Sequence, residues 1–218
     1  MNQLNERTFE ITDAFCITHG RRIVLEKNQF LYQHGDSGKA IYFLSSGEVR
    51  AYYSYENGDE KTMGIYTAPI MVGEDVFIGK DTPRWLNVVA TKKSVCYSLD
   101  VNSYRKACMN NDALFNELML SYLKKLQING NVIYSTKYSS AEKRIIFFLY
   151  ENKSMPLNFT QAYISEILGV ARITVSRVLG KLRNMDVIET KYKKIYIKDP
   201  NKLRELLGED PIAEERIN

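Results

Sequence analysis

The sequence predicts an α+β protein in three parts: a β-rich domain over residues 1–110, a long helix over 111–137 and a mainly helical domain over 138–218. Three observations lead to this prediction. Short β-prone runs with glycine-bearing turns fill the first part, an apolar repeat of heptad spacing follows, and two amphipathic helices with a basic hairpin come last. Hydrophobic residues make up 44% of the 218 residues, enough for a packed core.

Charge is distributed unevenly along the chain. The formal net charge is +4, and residues 172–198 carry eight basic side chains against two acidic ones. A locally basic segment beside a balanced one is typical of a sensor joined to a polyanion-binding module. A solvated basic face without a partner would show the same counts. Charge alone therefore does not distinguish a polyanion-binding module from such a face.

The three cysteines, Cys16, Cys96 and Cys108, are odd in number and far apart. This spacing argues against a disulfide framework and against a cysteine-ligated metal site, and it predicts a reducing cytoplasm. A redox-sensing thiol is the alternative interpretation. The chain has no apolar run of 18 residues, and its first residues are polar, so we expect neither a membrane span nor a signal peptide.

The β-rich domain is predicted from runs rich in Ile, Val, Tyr and Phe. They are RRIVL, QFLY, AIYFLSSGEVRAYYSY, KTMGIY and LNVVATKKSVCYSLD. Turn sequences separate them, and this pattern indicates a β-sandwich or a double-sheet roll. Asn57-Gly58 predicts a hairpin with a type I′ turn, which needs positive φ at both central residues.

The long helix is predicted from a seam of six positions spaced by four and three residues alternately. They are Phe115, Met119, Tyr122, Leu126, Asn129 and Ile133, and we call them the apolar seam. Such spacing keeps one face in register along a two-stranded coiled coil. About 25 residues at 1.5 Å each span roughly 37 Å, longer than one small roll can cover, which favours a dimer helix. Packing on the chain's own β domain is the alternative.

The last domain begins with a helix in SSAEKRIIFFLYEN, with Ser139 or Ser140 as the N-cap and a break at Pro156. Thr160 then caps a short helix, QAYISEIL, and Gly169 separates it from ARITVSRVLGKLRN. This is a helix-turn-helix pattern. Its shared apolar interface is predicted to consist of Ile164, Ile167, Val175, Val178 and Leu182.

The opposite face of the second helix forms one stripe, which we call the recognition stripe: Arg172, Ile173, Ser176, Arg177, Gly180 and Lys181. In a major groove its arginines can bond guanine, and its isoleucine can contact a thymine methyl. VIETKYKKIYIKD reads as a two-stranded wing whose lysines contact phosphate. The candidate DNA contacts are Thr160, Arg172, Ile173, Thr174, Ser176, Arg177, Lys181, Lys193 and Lys194.

From about Ile23 to Ile197 the chain resembles the cyclic-AMP receptor protein / fumarate-nitrate regulator (CRP/FNR) family of bacterial transcription factors. The resemblance rests on QHGDSGKAIYFLSSGEV, ENGDE and VGED in the first half and on ILGVARITVSRVLGKLR in the second. It implies a cyclic-nucleotide-binding-like β-roll, a dimerisation helix and a winged helix-turn-helix. It also implies a homodimer that binds a near-palindromic DNA site.

The departures from the family pattern concern the ligand. In members that bind cyclic AMP, a Gly-Glu pair and an Arg-Ser pair hold ribose and phosphate. Gly73, Glu74 and Arg84 match, but Trp85 replaces the serine, and Asn129 stands where a hydroxyl residue meets the adenine. We therefore expect no cyclic AMP. The candidate effector-binding residues are Gly73, Glu74, Arg84, Trp85, Tyr122 and Asn129.

The sequence identifies neither an effector nor a cofactor, and an iron-sulfur cluster is not expected. Iron-sulfur members carry clustered N-terminal cysteines, which Cys16 alone does not provide. Haem stays open, although His19 and His34 are poor candidates because a histidine in a turn is more often a surface residue. Other relatives bind halogenated aromatics, 2-oxoglutarate or glutathione, or need no ligand.

The predicted function is a homodimeric, sequence-specific transcription regulator controlled by a small-molecule or redox signal, with RNA polymerase as a further partner and no membrane association. A ligand-binding module that acts on a protein partner is the alternative. We expect no enzyme, because the sequence shows no Ser/His/Asp constellation, phosphate loop or metal-spaced cluster.

Overall fold

The computed structural model describes residues 9–79, 82–153, 159–191 and 194–208, with Lys194 described by its backbone alone. The chain divides into two compact units, one ending at Leu126 and the other starting at Gln127. This division falls inside the long helix, whereas the sequence suggested a boundary near Lys137.

The first unit contains two four-stranded antiparallel sheets. The strands are β1 (Arg21–Leu25), β2 (Phe30–Tyr32), β3 (Ala40–Ser46), β4 (Glu48–Ser54), β5 (Glu60–Thr67), β6 (Ile70–Val72), β7 (Asn87–Ala90) and β8 (Ser94–Asp100). One sheet has the order β1-β8-β3-β6, and the other has the order β2-β7-β4-β5. The predicted double-sheet architecture is confirmed. Of the eight strands in this unit, β6 is the one that lies outside the predicted runs.

A buried apolar cluster, which includes Leu44, Val49, Val72, Val88 and Cys96, holds strands of both sheets together. Because side chains alternate along a strand, each strand contributes every second residue to this core.

The hairpin between β4 and β5 forms where it was predicted, but its turn is of a different type. Gly58 has φ 87°, whereas Asn57 is not among the residues with positive φ, so the turn is not type I′. Instead, the Tyr55 and Asp59 backbones are hydrogen-bonded across a longer loop, and the Asn57 side chain accepts a bond from the Asp59 amide at 3.1 Å. A longer loop removes the need for left-handed backbone at both central positions.

Three helices pack on the first sheet: α1 (Glu10–His19), α2 (Val101–Met109) and α3 (Asp112–Ser135). Their buried side chains Cys16, Tyr104 and Leu118 contact a cluster that includes Phe43 of β3. The Asp100 carboxylate caps α2 by accepting a hydrogen bond from the Ser103 amide at 2.8 Å. α1 has no counterpart in the sequence predictions.

Most side chains of the apolar seam of α3 are exposed to solvent in the single chain. Phe115, Tyr122, Leu126 and Ile133 are exposed, the last two by 53% and 66% of their surface. The buried side of the helix is carried by other residues, such as Leu114 and Leu118. The alternative in which the seam packs on the chain's own β domain is therefore not what the structure shows.

The second unit contains α4 (Ala141–Glu151), α5 (Gln161–Leu168), α6 (Arg172–Asn184), β9 (Ile188–Lys191), β10 (Lys194–Ile197) and α7 (Pro200–Leu207). α4 begins at its predicted cap, Ser140, although the hydroxyl makes no capping bond. The predicted break at Pro156 lies outside the described residues. β9 and β10 pair antiparallel as the predicted wing. α7 is an unpredicted addition, capped by Asp199, which accepts from the Lys202 amide at 2.9 Å.

The second unit is held together by an aromatic-rich core. Phe148 of α4 is fully buried, with its ring centre 5.3 Å from that of Phe159 and 6.4 Å from that of Tyr163. Aromatic pairs at these distances add to the free energy gained from burial alone.

We predict that Phe148→Ala destabilises the second unit by about 3–5 kcal/mol, because it leaves a cavity that the neighbouring rings cannot fill. Urea unfolding followed by circular dichroism measures the change. Ile78→Ala removes an apolar side chain that is 90% exposed and serves as the control, with an expected effect under about 0.5 kcal/mol. Equal effects of the two substitutions would contradict this view of the core.

Candidate sensor site and DNA interface

The first candidate site lies in the roll, at the turn after β6. Gly73 has φ 77°, and a Cβ atom there would lie 2.8 Å from Nη1 of Arg84, so only glycine fits. A short 3₁₀ helix, Glu74–Val76, follows directly. In the 3₁₀ turn both carboxylates contact buried cations.

Glu74 binds a lysine of the long helix. Its carboxylate lies 2.5 Å from the Lys125 ammonium, and both side chains are largely buried. The ammonium also donates to the Met71 carbonyl at 2.6 Å and sits over the Tyr66 ring, 4.5 Å from its centre. A buried charge requires such pairing, so this contact ties α3 to the roll.

Arg84 lies entirely inside the roll. Its Nη1 donates to the Gly73 carbonyl and to the Asp75 carboxylate, each at 2.8 Å, and its Nη2 donates to the Ala40 carbonyl. The guanidinium carbon lies 4.2 Å from the centre of the Tyr32 ring, a cation–π contact. Burial raises the pKa of Asp75, and the charge of Arg84 offsets part of that rise.

The structure brings together three of the six predicted effector residues, Gly73, Glu74 and Arg84. The Trp85 side chain is 55% exposed and its carbonyl bonds the His34 ring, while Tyr122 is exposed on α3. Asn129 is half-buried and belongs to the other compact unit.

Sequence reasoning missed the two partners, Asp75 and Lys125, that neutralise the site. Asp75 is adjacent to a motif residue, and Lys125 lies outside the apolar seam. No local sequence pattern identifies either residue, because each is paired with a side chain that is distant along the chain.

The three thiols are buried and free. Burial raises the pKa of Cys96 to about 12 and that of Cys108 to about 11, and it raises the pKa of Cys16 still further. Because the thiolate is the reactive form, we expect these buried cysteines to react slowly with oxidants at neutral pH. This disfavours the redox-thiol alternative.

The second candidate site is built on α5 and α6. Thr160 caps α5 by accepting from the Tyr163 amide at 3.1 Å. Gly169 ends that helix with φ 62°, a conformation that glycine adopts without strain. The predicted interface is confirmed, because Ile164, Ile167, Val175, Val178 and Leu182 are all buried. Leu179 joins them, although it was not predicted.

The recognition stripe lies on the solvent side of α6. Ile173 is 78% exposed, and Arg172 and Arg177 are exposed on either side of it. Ser176 and Thr174 are half-buried. An isoleucine left this far in water at a helix start contributes little to the described fold, and its side chain is available for apolar contact.

Two cations of the stripe have partners within the unit. Arg172 lies 3.5 Å from the Glu166 carboxylate, and Lys181 lies 2.7 Å from that of Glu142. Both basic side chains remain mostly exposed, so these surface pairs are weak and can be exchanged for phosphate. Of the predicted wing contacts, Lys193 lies outside the described residues, as does Tyr192. Lys194 is the first residue of β10, and it pairs with Lys191 of β9.

Among residues 9–79, 82–153, 159–191 and 194–208, no group of three or more His, Cys, Asp and Glu side chains could hold a metal ion. No helix in that part of the chain combines the length and apolar character needed to cross a bilayer.

Comparison with known proteins matches both halves of the chain to described families. Residues 22–111 match the cyclic nucleotide-binding domain, and residues 143–206 match the Crp-like helix-turn-helix domain. The fumarate and nitrate reduction regulatory protein of Yersinia pestis is 25% identical over 216 residues, which cover 94% of this chain and 84% of that protein. The electron transport regulator A of Shewanella oneidensis is 24% identical over 204 residues, covering 88% of this chain and 81% of that protein.

Solved structures share the fold. FixK2 from Bradyrhizobium japonicum superposes with a TM-score of 0.66 at 18% identity, over 86% of this chain and 96% of that one. The double-sheet roll precedes the helix-turn-helix, just as the cyclic nucleotide-binding match precedes the Crp-like match. The long helix lies between the two matched segments. The helix-turn-helix match does not favour the alternative of a module that acts only on a protein partner. The chain therefore belongs to the CRP/FNR family of DNA-binding transcription regulators.

Proposed function

We propose that this regulator works in the cytoplasm as a homodimer, that each copy places α6 in the major groove of a near-palindromic DNA site, and that RNA polymerase is a further partner. The observation that carries the proposal is the recognition stripe. Its exposed isoleucine and two arginines lie on one side of α6, opposite a fully buried apolar interface. A helix of this kind presents base-reading groups on a rigid support.

The dimer is supported by the apolar seam. An open row of Phe115, Tyr122, Leu126 and Ile133 along one helix is an unusual surface for a lone chain in water. A second copy of α3 would cover it by knobs-into-holes packing, with Asn129 as a polar residue that fixes the register.

The proposed mechanism is a population shift between two arrangements of the paired helices. A small effector held between the roll and α3 would favour one register around Asn129. The DNA-binding units would then turn about a hinge near Tyr138 until both recognition helices match their half-sites. A ligand can shift this equilibrium only by its difference in affinity for the two arrangements.

A gel-shift assay with the promoter regions that neighbour the regulator's own gene tests DNA binding. We expect a retarded complex at low salt that survives competition by unrelated duplex. If the folded protein formed no complex with DNA at low ionic strength, the proposal would be contradicted. Native mass spectrometry and a visible absorption spectrum of fresh protein would identify a retained effector or haem.

We predict that selection from a random duplex library recovers an A·T pair at the position read by Ile173, because isoleucine can offer only apolar contact to a thymine methyl. Ile173→Glu, which introduces a hydrogen-bond acceptor for cytosine, should shift the preference towards G·C. The expected discrimination is on the order of 10-fold to 100-fold, equivalent to about 1–3 kcal/mol. An invariant G·C pair selected by the unaltered protein would refute this.

We predict different behaviour for wing and helix substitutions. Removing both lysine side chains in Lys193→Ala/Lys194→Ala should weaken binding to all sequences alike and reduce the salt slope by about two, since each lysine releases about one counterion. Arg177→Ala should also erode sequence preference, by roughly 1–3 kcal/mol at one base pair. Fluorescence anisotropy across a salt series, with specific and scrambled duplexes, separates the two. If both variants changed in the same way, the division into positioning and reading contacts would fail.

We predict that Leu126→Glu shifts the protein from dimer to monomer in sedimentation equilibrium, because it places a charge in the centre of the apolar seam. Gln127→Glu adds the same charge at the next position, off the seam, and should leave the dimer intact. A dimer that tolerates both changes equally would show that α3 pairs through another face or not at all.

A further inference from the structure

Arg84 and its partners form a closed electrostatic unit in the roll. The Arg84 side chain has no exposed surface, and the Asp75 side chain, at 23% exposure, provides the carboxylate that bonds it. The backbone carbonyls of Gly73 and Ala40 take two further N–H groups. Nη1 is thus bonded twice and Nη2 once without any bound ligand, while Nε is buried and has no hydrogen-bond partner.

The position of Asp75 matters because it is the most accessible member of this unit. Arg84 reaches no solvent, whereas part of the Asp75 carboxylate does. An incoming anion would meet Asp75 first, and it would have to displace that carboxylate to bond the guanidinium. The rings of Tyr32 and Tyr42 lie near the guanidinium, with their centres 4.2 and 5.6 Å from its central carbon.

The charges next to this unit are also balanced. Glu74 is paired with Lys125, so the two carboxylates of the turn are matched by two cations, Arg84 and Lys125. An anionic ligand gains little from a neutral cluster, because each cation already has a partner of opposite charge.

We propose that Asp75 is a built-in counter-anion for Arg84, which closes this arginine to phosphate-bearing ligands and so excludes cyclic nucleotides from the roll. Asp75 is then the residue that sets ligand specificity. Removing its carboxylate should leave an anion site beside a buried guanidinium, open to a phosphate. This inference concerns the roll alone and stands or falls separately from DNA binding.

The test uses thermal unfolding of the full-length chain in phosphate and in chloride of matched ionic strength. The variants are Asp75→Ala and Asp75→Asn; the second keeps the size of the side chain and guards against a folding failure. Glu60→Ala is the matched control, because it removes a carboxylate from another ion pair of the roll, 2.7 Å from Arg50. Calorimetric titration of the dialysed wild-type protein with cyclic AMP completes the set.

We expect both Asp75 variants to melt roughly 5–10 °C below the wild type in chloride, since each leaves a buried guanidinium without its carboxylate. Phosphate should recover several degrees in these variants and leave the wild type and Glu60→Ala unchanged. Cyclic AMP should give no heat of binding with the wild type. The inference is overturned by equal phosphate shifts in all proteins, by no phosphate shift in either Asp75 variant, or by micromolar binding of cyclic AMP to the wild type.

Discussion

The structure depends most on the burial of one side of α6. Val175, Val178, Leu179 and Leu182 are almost fully removed from water, and they hold α6 against the rest of its unit. Because an α-helix has 3.6 residues per turn, fixing that side also fixes which residues face outward. The recognition stripe is therefore presented in one orientation, which limits the entropy lost on binding DNA. A change in the buried side would alter DNA reading without touching a single base contact.

A different constraint acts in the roll, where buried charges have to be paired. A buried arginine and a largely buried lysine require partners, and two consecutive carboxylates of one 3₁₀ turn supply them. The turn depends on Gly73, which adopts a left-handed backbone conformation. Any side chain at this position would also come too close to Arg84. One consequence is mechanical, since the Glu74–Lys125 pair joins the roll to the middle of α3. The other is chemical, since Asp75 occupies the position from which an anion would reach Arg84.

Much of this architecture could be predicted from the sequence, because periodicity reports burial directly. The strands of the roll, the helix-turn-helix and its buried interface all follow from patterns of two or 3.6 residues. The misses have physical reasons. The Asn57-Gly58 turn differs because a longer loop relieves the backbone requirement. The partners Asp75 and Lys125 were missed because pairing between residues distant in sequence leaves no local pattern. Periodicity equally could not show that Arg84 is buried, since an arginine is usually exposed.

Hydroxyl-radical footprinting of the regulator on a selected duplex tests the central claim most directly. If two copies of α6 are held by a twofold dimer, the backbone should be protected in two patches on one face of the duplex, roughly 10–10.5 base pairs apart centre to centre. Protection should centre on successive major grooves. A single patch, or two patches at a spacing that varies between bound sequences, would contradict the claim that a rigid pair of recognition stripes reads the DNA.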